Sequence, residues 1–403
     1  MITPDHAWHV VCNHISPLEN VSLPLRKALG HCLAETIRAD RDYPPADRAA
    51  MDGFAVRSVD LHEGGAALRV IGEIEAGGRH NLRIQSGTCV RIATGGNMPR
   101  GADAVVPLEQ SDEREEWATF RSSVKPGVNI FKKGEDTFRG TALLKTGTYL
   151  GAGEVGVCAA VGKSMVRVYR KPRIALVCTG TEIKAAERNV TKYEMRNSNG
   201  PTLRAALAQW GFVASSPRQV PDSVAALRSS LLRLLPGHDV ILLTGGISVG
   251  KHDLVRAALE AVGASIQFHG LAMKPAKPTL YATIGTNCHI FGLPGNPLSA
   301  MTACHEFVLP ALRRLTGSIP DACRPALHLL LASDLKSKGG RARYILARIQ
   351  WEEKGPCAVP IHSKSSADLF SASGADGVII APSKVELMEA GMIVAFRPWK
   401  PLP

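Results

Sequence analysis

Two short, wholly apolar runs constrain this chain most, because each ends in a glycine turn and stands among helical segments. RIALVC runs into Thr179-Gly180, and DVILLTGG ends in Gly245-Gly246. An unbroken apolar run of this length reads as a strand buried on both faces. Between them, PTLRAALAQWGF and SVAALRSSLLRLL repeat apolar residues at helical period. LVRAALEAVG adds a helix, and NCHIFGLPGNP a further strand and loop. Strands alternating with helices predict a doubly wound α/β domain built on parallel strands. It should end near Gly317, before the turn-rich SIPDACRP.

A chain of 403 residues is too long for one ordinary core, so further domains are expected. The N-terminus predicts a helix: Thr3 caps, Pro4 takes the first helical position, and Asp5 favours the positive end. A second helix is expected over Leu25–Ala39, with Gly30 as an interruption. From Phe54 to Ile130, short β-like runs alternate with Gly/Pro turns, which predicts an inserted β-rich domain. The stretch after Lys133 reads as partly helical. The last segment, with ALHLLLAS, RYILARIQW and GVIIAPS, reads as a C-terminal β domain. The fold class expected is therefore multidomain α/β plus β.

Composition excludes several function classes. Every apolar run is too short to cross a bilayer, and the start has no basic segment leading into an apolar one. Nine cysteines stand singly without a C-x-x-C pair, which speaks against a zinc ribbon or a disulfide framework and for a reducing cytoplasm. Lysine and arginine number 48 against 36 acids, a formal charge of +12 that favours anionic partners. Aromatics are only 5% and no basic–aromatic recognition motif appears, so nucleic acid is disfavoured. A phosphorylated small molecule or an oxyanion suits the charge, as does a plain solvated basic surface.

Six segments carry chemistry-bearing residues, although each alone is compatible with an ordinary turn. In YPPADRAAMDGFAV, Gly53 lets the chain turn and Asp52 presents a carboxylate. In NIFKKGEDTFRG, Lys132 and Lys133 stand beside Glu135 and Asp136, and a carboxylate near cations stays ionised. LVCTGTEI places Thr179, Gly180 and Glu182 at a strand's carboxyl end, where open α/β sheets bind ligands. In LLTGGISVGKHD, Gly245, Gly246, Ser248 and Gly250 allow backbone N–H groups to approach phosphate oxygens, with Asp253 beyond them. MKPAKP holds Lys274 and Lys277 apart on a stiff backbone as point charges. GLPGNPLSA makes a rigid loop of Pro294, Gly295 and Asn296 before a helix. Neither a P-loop nor G-x-G-x-x-G is present, and no G-x-S-x-G or H-E-x-x-H. His252 and His269 show no ligand spacing and read as surface or packing residues.

In this order the segments resemble the MoeA family, which includes the E domain of gephyrin. The matching pieces are PPADRAAMDGFAV, RIATGGNMP with ADAVV, KGED, CTGTE, RNSN, GGISVG with Asp253, MKPAKP and GLPGNPLSA. The resemblance implies four domains: 1–45 with 134–170, the inserted 46–133, a central MogA/MoaB-like α/β domain over 171–317, and a β-barrel-like domain over 318–403. It implies a molybdopterin molybdenumtransferase that takes adenylylated molybdopterin and molybdate as substrates and releases AMP, with Mg²⁺ assisting. It further implies a cytoplasmic homodimer whose cleft lies at the subunit interface, with MogA-type and molybdoenzyme partners and no role for nucleic acid or membrane. Carried over residue by residue, Asp52, Asp136, Glu182, Asp253, Lys274 and Lys277 take the catalytic positions, and Asp253 is the metal candidate. Thr94, Thr179, Gly180, Asp222, Gly245, Gly246, Ser248, Gly250, Pro294, Gly295 and Asn296 fall to ligand binding.

The chain departs from the family pattern at Ala49, Thr181, Lys251, Gly270 and Ala276. Ala276 replaces the glycine of K-P-G-K-P, which requires that its φ be negative. Gly270 replaces a frequent lysine, and Thr181 and Lys251 replace acids. These departures motivate a second reading, a diverged paralogue or scaffold that binds substrate without AMP release. A general nucleotide hydrolase is a third, disfavoured by the missing P-loop lysine. Nucleic-acid binding is a fourth, read out by salt-dependent affinity.

Overall fold

The apolar runs become the centre of a six-stranded sheet. Its order is Arg218–Val220, Ile174–Thr179, Val240–Thr244, Cys288–Leu293, Leu280–Ile284 and Ser265–His269. The first four strands are parallel, as expected from the strand–helix alternation. Leu280–Ile284 runs against them, because Gly285 (φ +57°) turns the chain straight back into Cys288–Leu293, and Ser265–His269, antiparallel to Leu280–Ile284, again runs with the first four. Burial on both faces explains the unbroken apolar runs. Ile174, Leu176 and Cys178 pack into one core, and the alternate residues Ala175 and Val177 into another on the opposite face.

This computed structural model describes residues 1–63, 65–247, 253–337, 339–353 and 355–401. Two compact units divide the chain: Met1–Glu35 with Thr146–Gly151 and Met165–Pro403, and Thr36–Lys145 with Ala152–Ser164. In the first unit the N-terminal helix spans Pro4–His14, and the Thr3 hydroxyl accepts from the His6 N–H as expected. No helix forms over Leu25–Ala39. A strand at Asn20–Pro24 pairs with Met165–Tyr169, and only one 3₁₀ turn, Leu25–Lys27, follows. Gly30 at φ +76° breaks helical geometry, and the N–H groups of Gly30 and Leu33 bond to the carbonyls of Leu150 and Thr148 instead. Long-range pairing thus outcompetes local helical period.

The C-terminal strands close into a barrel. Ala342–Glu352 pairs with Gly355–Pro360 on one side and Gly377–Ala381 on the other, while Leu327–Leu331 and Ile393–Pro398 complete the ring. Leu329, Ala347, Ile379 and Phe396 fill it. Glu306, on the π-helical turn Cys304–Val308, is fully buried and binds Arg324 at 2.7 Å and Arg397, on the last barrel strand, at 3.0 Å. A charge this deep persists only because both guanidinium groups meet it.

The second unit carries a six-stranded sheet of order Ala104–Pro107, Gly53–Val56, Thr88–Ile92, Ala66–Ile74, Trp117–Phe120 and Ser111–Arg114. Phe54 and Phe120 meet edge to face across its core, ring centres 5.8 Å apart. Gly53 is demanded by proximity: a Cβ there would lie 2.0 Å from the Val106 carbonyl oxygen. One helix, Ala152–Ala160, supplies the helical part expected after Lys133.

Two expected outcomes follow. Glu306→Ala leaves Arg324 with only the exposed Asp5, 2.9 Å away, and removes the carboxylate that meets Arg397, and should cost about 3–5 kcal/mol in denaturant unfolding; a loss below about 1 kcal/mol would show that Glu306 carries little. Asp239, at the start of a central strand, supplies the pH dependence. Burial pushes its carboxyl up, but hydrogen bonds from Arg170 at 2.6 and 2.7 Å and from the Arg173 N–H at 2.7 Å outweigh this and hold it at about 2. Because the folded value is depressed, this stability is complete above pH ~4 and fades as pH falls toward ~2. Acid titration of unfolding should show that loss in the wild type and lack it in Asp239→Asn.

Candidate functional site

The carboxyl ends of the central strands open into a cleft of about 510 Å³, lined by Glu182, Asn197, Asn199, Gly246, Gly295 and Asn296 among others. Glycines permit this convergence. A Cβ on Gly245, at φ +91°, would lie 2.4 Å from the Thr179 carbonyl oxygen, so the two strand ends meet only without a side chain there. Asn199 pins the opposite rim, its amide donating to the Thr244 hydroxyl and the Gly295 carbonyl at 2.8 Å each. The Thr244 hydroxyl in turn donates to the Pro294 carbonyl at 3.1 Å. The Pro294–Asn296 loop is therefore held by hydrogen bonds as well as by proline stiffness.

Thr179 faces away from this rim network and donates its hydroxyl to Asp222, so these two sequence candidates are brought together. Asp253 caps the helix Leu254–Ala261, its Oδ1 accepting from the Arg256 N–H at 2.9 Å. Ser248 and Gly250 lie outside the described residues, as do Lys251 and His252.

Beside the cleft, Lys274, Lys277, Asn296, Ser299, Arg341 and Ser366 border a smaller cavity of about 200 Å³. Ser366 ties it together: its hydroxyl accepts from Asn296 at 2.8 Å, and its carbonyl accepts from the Ser299 N–H at 3.2 Å. A third cavity of about 570 Å³ shares Lys274 and Ser366 and adds Lys336, Arg343, His362 and Lys364. Among the described residues, Lys274, Lys277, Lys336, Arg341 and Arg343 take part in no ion pair. Glu386 shares a further cavity with Lys336 and Arg343, whereas the lining that Lys274, Lys277 and Arg341 share holds no carboxylate; cations so grouped repel one another, and a bound anion relieves that repulsion. Arg341, Arg343 and Ser366 escaped sequence reasoning, because nothing local marks them and only the barrel's docking in this unit brings them here.

The second unit holds Asp52, Thr94 and Asp136. Asp52 accepts from the Thr94 N–H at 2.6 Å and from its hydroxyl at 2.7 Å, in that order the causes that hold its carboxyl below the ordinary range. The exposed Asp136 sits on the turn whose N–H bonds to the Tyr43 carbonyl at 2.9 Å. The nearby lysines do not neutralise Asp136: Lys132 reaches Asp47 at 3.2 Å and Lys133 reaches Asp42 at 3.4 Å. That pairing differs from the sequence expectation, since residues distant in the chain compete for the cations.

Comparison with known proteins decides the relationship. The family descriptions "MoeA N-terminal region (domain I and II)", "Probable molybdopterin binding domain" and "MoeA C-terminal region (domain IV)" match residues 2–162, 175–314 and 328–399. A molybdopterin molybdenumtransferase of Staphylococcus epidermidis is 32% identical over 94% of this chain and 90% of its own length. One from Staphylococcus aureus is 31% identical over 95% and 92%. This chain belongs to the MoeA family. Its structure agrees: a molybdopterin biosynthesis MoeA protein of Pyrococcus horikoshii superposes with a TM-score of 0.83, at 26% identity, over 98% of this chain and 99% of the other.

Against the MoeA pattern, the departure at Ala276 has a structural cost. Its φ is +72°, not negative as its side chain would require, and the residue is 2% exposed between the two lysines. A Cβ in the left-handed region costs roughly 1–2 kcal/mol, offset in part by the greater unfolded freedom of glycine. Ala276→Gly should therefore stabilise the fold by about 1 kcal/mol. Denaturant unfolding checks this; a destabilised variant would mean that the buried methyl group contributes more than the strain costs.

Proposed function

We propose that this chain is a molybdopterin molybdenumtransferase, taking adenylylated molybdopterin and molybdate and releasing AMP. The observation that carries the reading is the set of uncompensated cations at Lys274, Lys277 and Arg341, adjoining a cleft with glycine-lined walls. The cleft takes the pterin and its phosphates: backbone N–H groups and the Asn199, Asn296 and Gly295 rim orient the ligand. The cation cavity takes the molybdate dianion, with Ser299 and Ser366 as hydroxyl donors. Holding both substrates side by side turns a bimolecular encounter into an oriented one. Cations near the phosphates stabilise the charge that develops as AMP leaves. Thr179 and Asp222 brace the strand end, and Gly180 allows the turn to Glu182.

Mg²⁺ takes one or two carboxylates and completes its shell with water and phosphate oxygens. Among the described residues no three His, Cys, Asp or Glu side chains converge, and Glu182 is a carboxylate lining the cleft. Asp253, the metal candidate of the sequence, has Oδ1 on the Arg256 N–H and Oδ2 turned to His269, so Glu182 is the residue that would hold an ion carried in on substrate phosphates, where the ion would supply charge neutralisation at the phosphate oxygens. By the same reading the protein works in the cytoplasm as a homodimer, with Asp52, Thr94 and Asp136 serving the cleft from the partner's side, and passes its product to molybdoenzymes.

The test is AMP release from adenylylated molybdopterin with molybdate and Mg²⁺. Wild type should release AMP in a molybdate-dependent way. Lys274→Ala and Lys277→Ala should each raise KM for molybdate roughly tenfold or more, the loss expected of one charge-assisted hydrogen bond. Asp253→Asn, which keeps the helix cap, should lower the rate. Substrate binding without release in the wild type would favour the scaffold reading and sink this one.

A further inference from the structure

Two buried polar atoms that lack a hydrogen bond lie against each other beside the proposed site. Asp253 Oδ2 and His269 Nε2 are 3.3 Å apart, on side chains 5% and 11% exposed. Neither atom touches solvent, and neither has a hydrogen-bond partner among the described residues. An unpaired buried acceptor or donor costs about 1–3 kcal/mol, more when charged. At this separation a proton on Nε2 directed at Oδ2 would satisfy both.

The position of the pair gives it meaning. The Asp253 carboxylate is divided: Oδ1 accepts the Arg256 N–H at the start of the helix Leu254–Ala261, and Oδ2 faces the imidazole. His269 ends the edge strand Ser265–His269, and the chain runs on from it through Gly270 to Lys274. The contact therefore joins the carboxylate after the glycine loop to the strand that leads to the lysines. Without it, Asp253 is fixed by one backbone bond and free to rotate.

We infer that His269 is a positioning residue: its Nε2–H holds the Asp253 carboxylate in one orientation for the reaction proposed above, on which this inference rests. The sequence, in which His269 has no ligand spacing, gave it a surface or packing role; the structure buries its ring and turns Nε2 to a carboxylate.

The contact and the chemistry are tested separately. In ¹⁵N-labelled wild-type protein, the His269 ring should carry its proton on Nε2; an unprotonated Nε2 would overturn the contact. In AMP release, His269→Phe should lower kcat roughly 10–100-fold, the loss typical of a group that orients a functional carboxylate, while KM for molybdate stays near wild type. His269→Gln, which keeps an N–H donor, should recover a large part of that rate. If both variants keep wild-type kcat in their folded fraction, the positioning role is refuted. Should His269→Phe fail to fold, the Gln variant against Asp253→Asn decides: a Gln rate no better than that of Asp253→Asn overturns the inference. Wild type that releases no AMP would fail the transferase reading and with it the positioning role, leaving the nitrogen spectrum to judge only whether the contact exists.

Discussion

The Thr179 carbonyl oxygen lies where a Cβ of residue 245 would have to be, and the site depends on that approach. Two parallel strands, buried on both faces, bring their carboxyl ends together at this point. Any residue but glycine would force the ends apart, since its Cβ would stand 2.4 Å from that oxygen. The cleft, the turn to Glu182 and the rim held by Asn199 all take their geometry from this convergence. The close approach serves the backbone itself, since the glycines at 245 and 246 also adopt left-handed φ values of +91° and +64°.

Electrostatics then separates two kinds of charge in the first unit. Two buried acids are met by cations: Glu306 by two arginines, and Asp239 by Arg170 and the Arg173 N–H. These pairs hold segments in place. Lys274, Lys277 and Arg341 border one cavity whose lining holds no acid. The self-repulsion of such a group opposes folding, and a bound anion would relieve it.

The barrel contributes to this group through Arg341, Arg343 and Ser366, and it lies in the same compact unit as the lysine loop. The strand pair Met273–Lys274 with Ala342–Arg343 fixes that relation through backbone bonds. Ala276 shows how strictly the loop is held. Its backbone keeps a left-handed conformation even with a side chain present, so surrounding contacts, not local preference, set the path between the two lysines.

The sequence by itself determined what depends on near neighbours. The helix at Pro4–His14 followed from its cap, the buried strands from unbroken apolar runs, and the β-rich regions from short runs between turns. The ordered motifs identified the family, because glycine, proline and asparagine at strand ends have few structural uses. Tertiary structure alone decided what depends on long-range competition. It replaced the helix expected over Leu25–Ala39 with strand pairing, ran one strand of the central sheet, Leu280–Ile284, against the others, and kept Ala276 at positive φ. It also gave the lysines beside Asp136 to other acids, added the barrel's arginines to the cation group, and faced His269 toward Asp253. Periodicity reports which face a residue takes on its own element, whereas a partner across the fold is chosen only once burial has removed the alternatives.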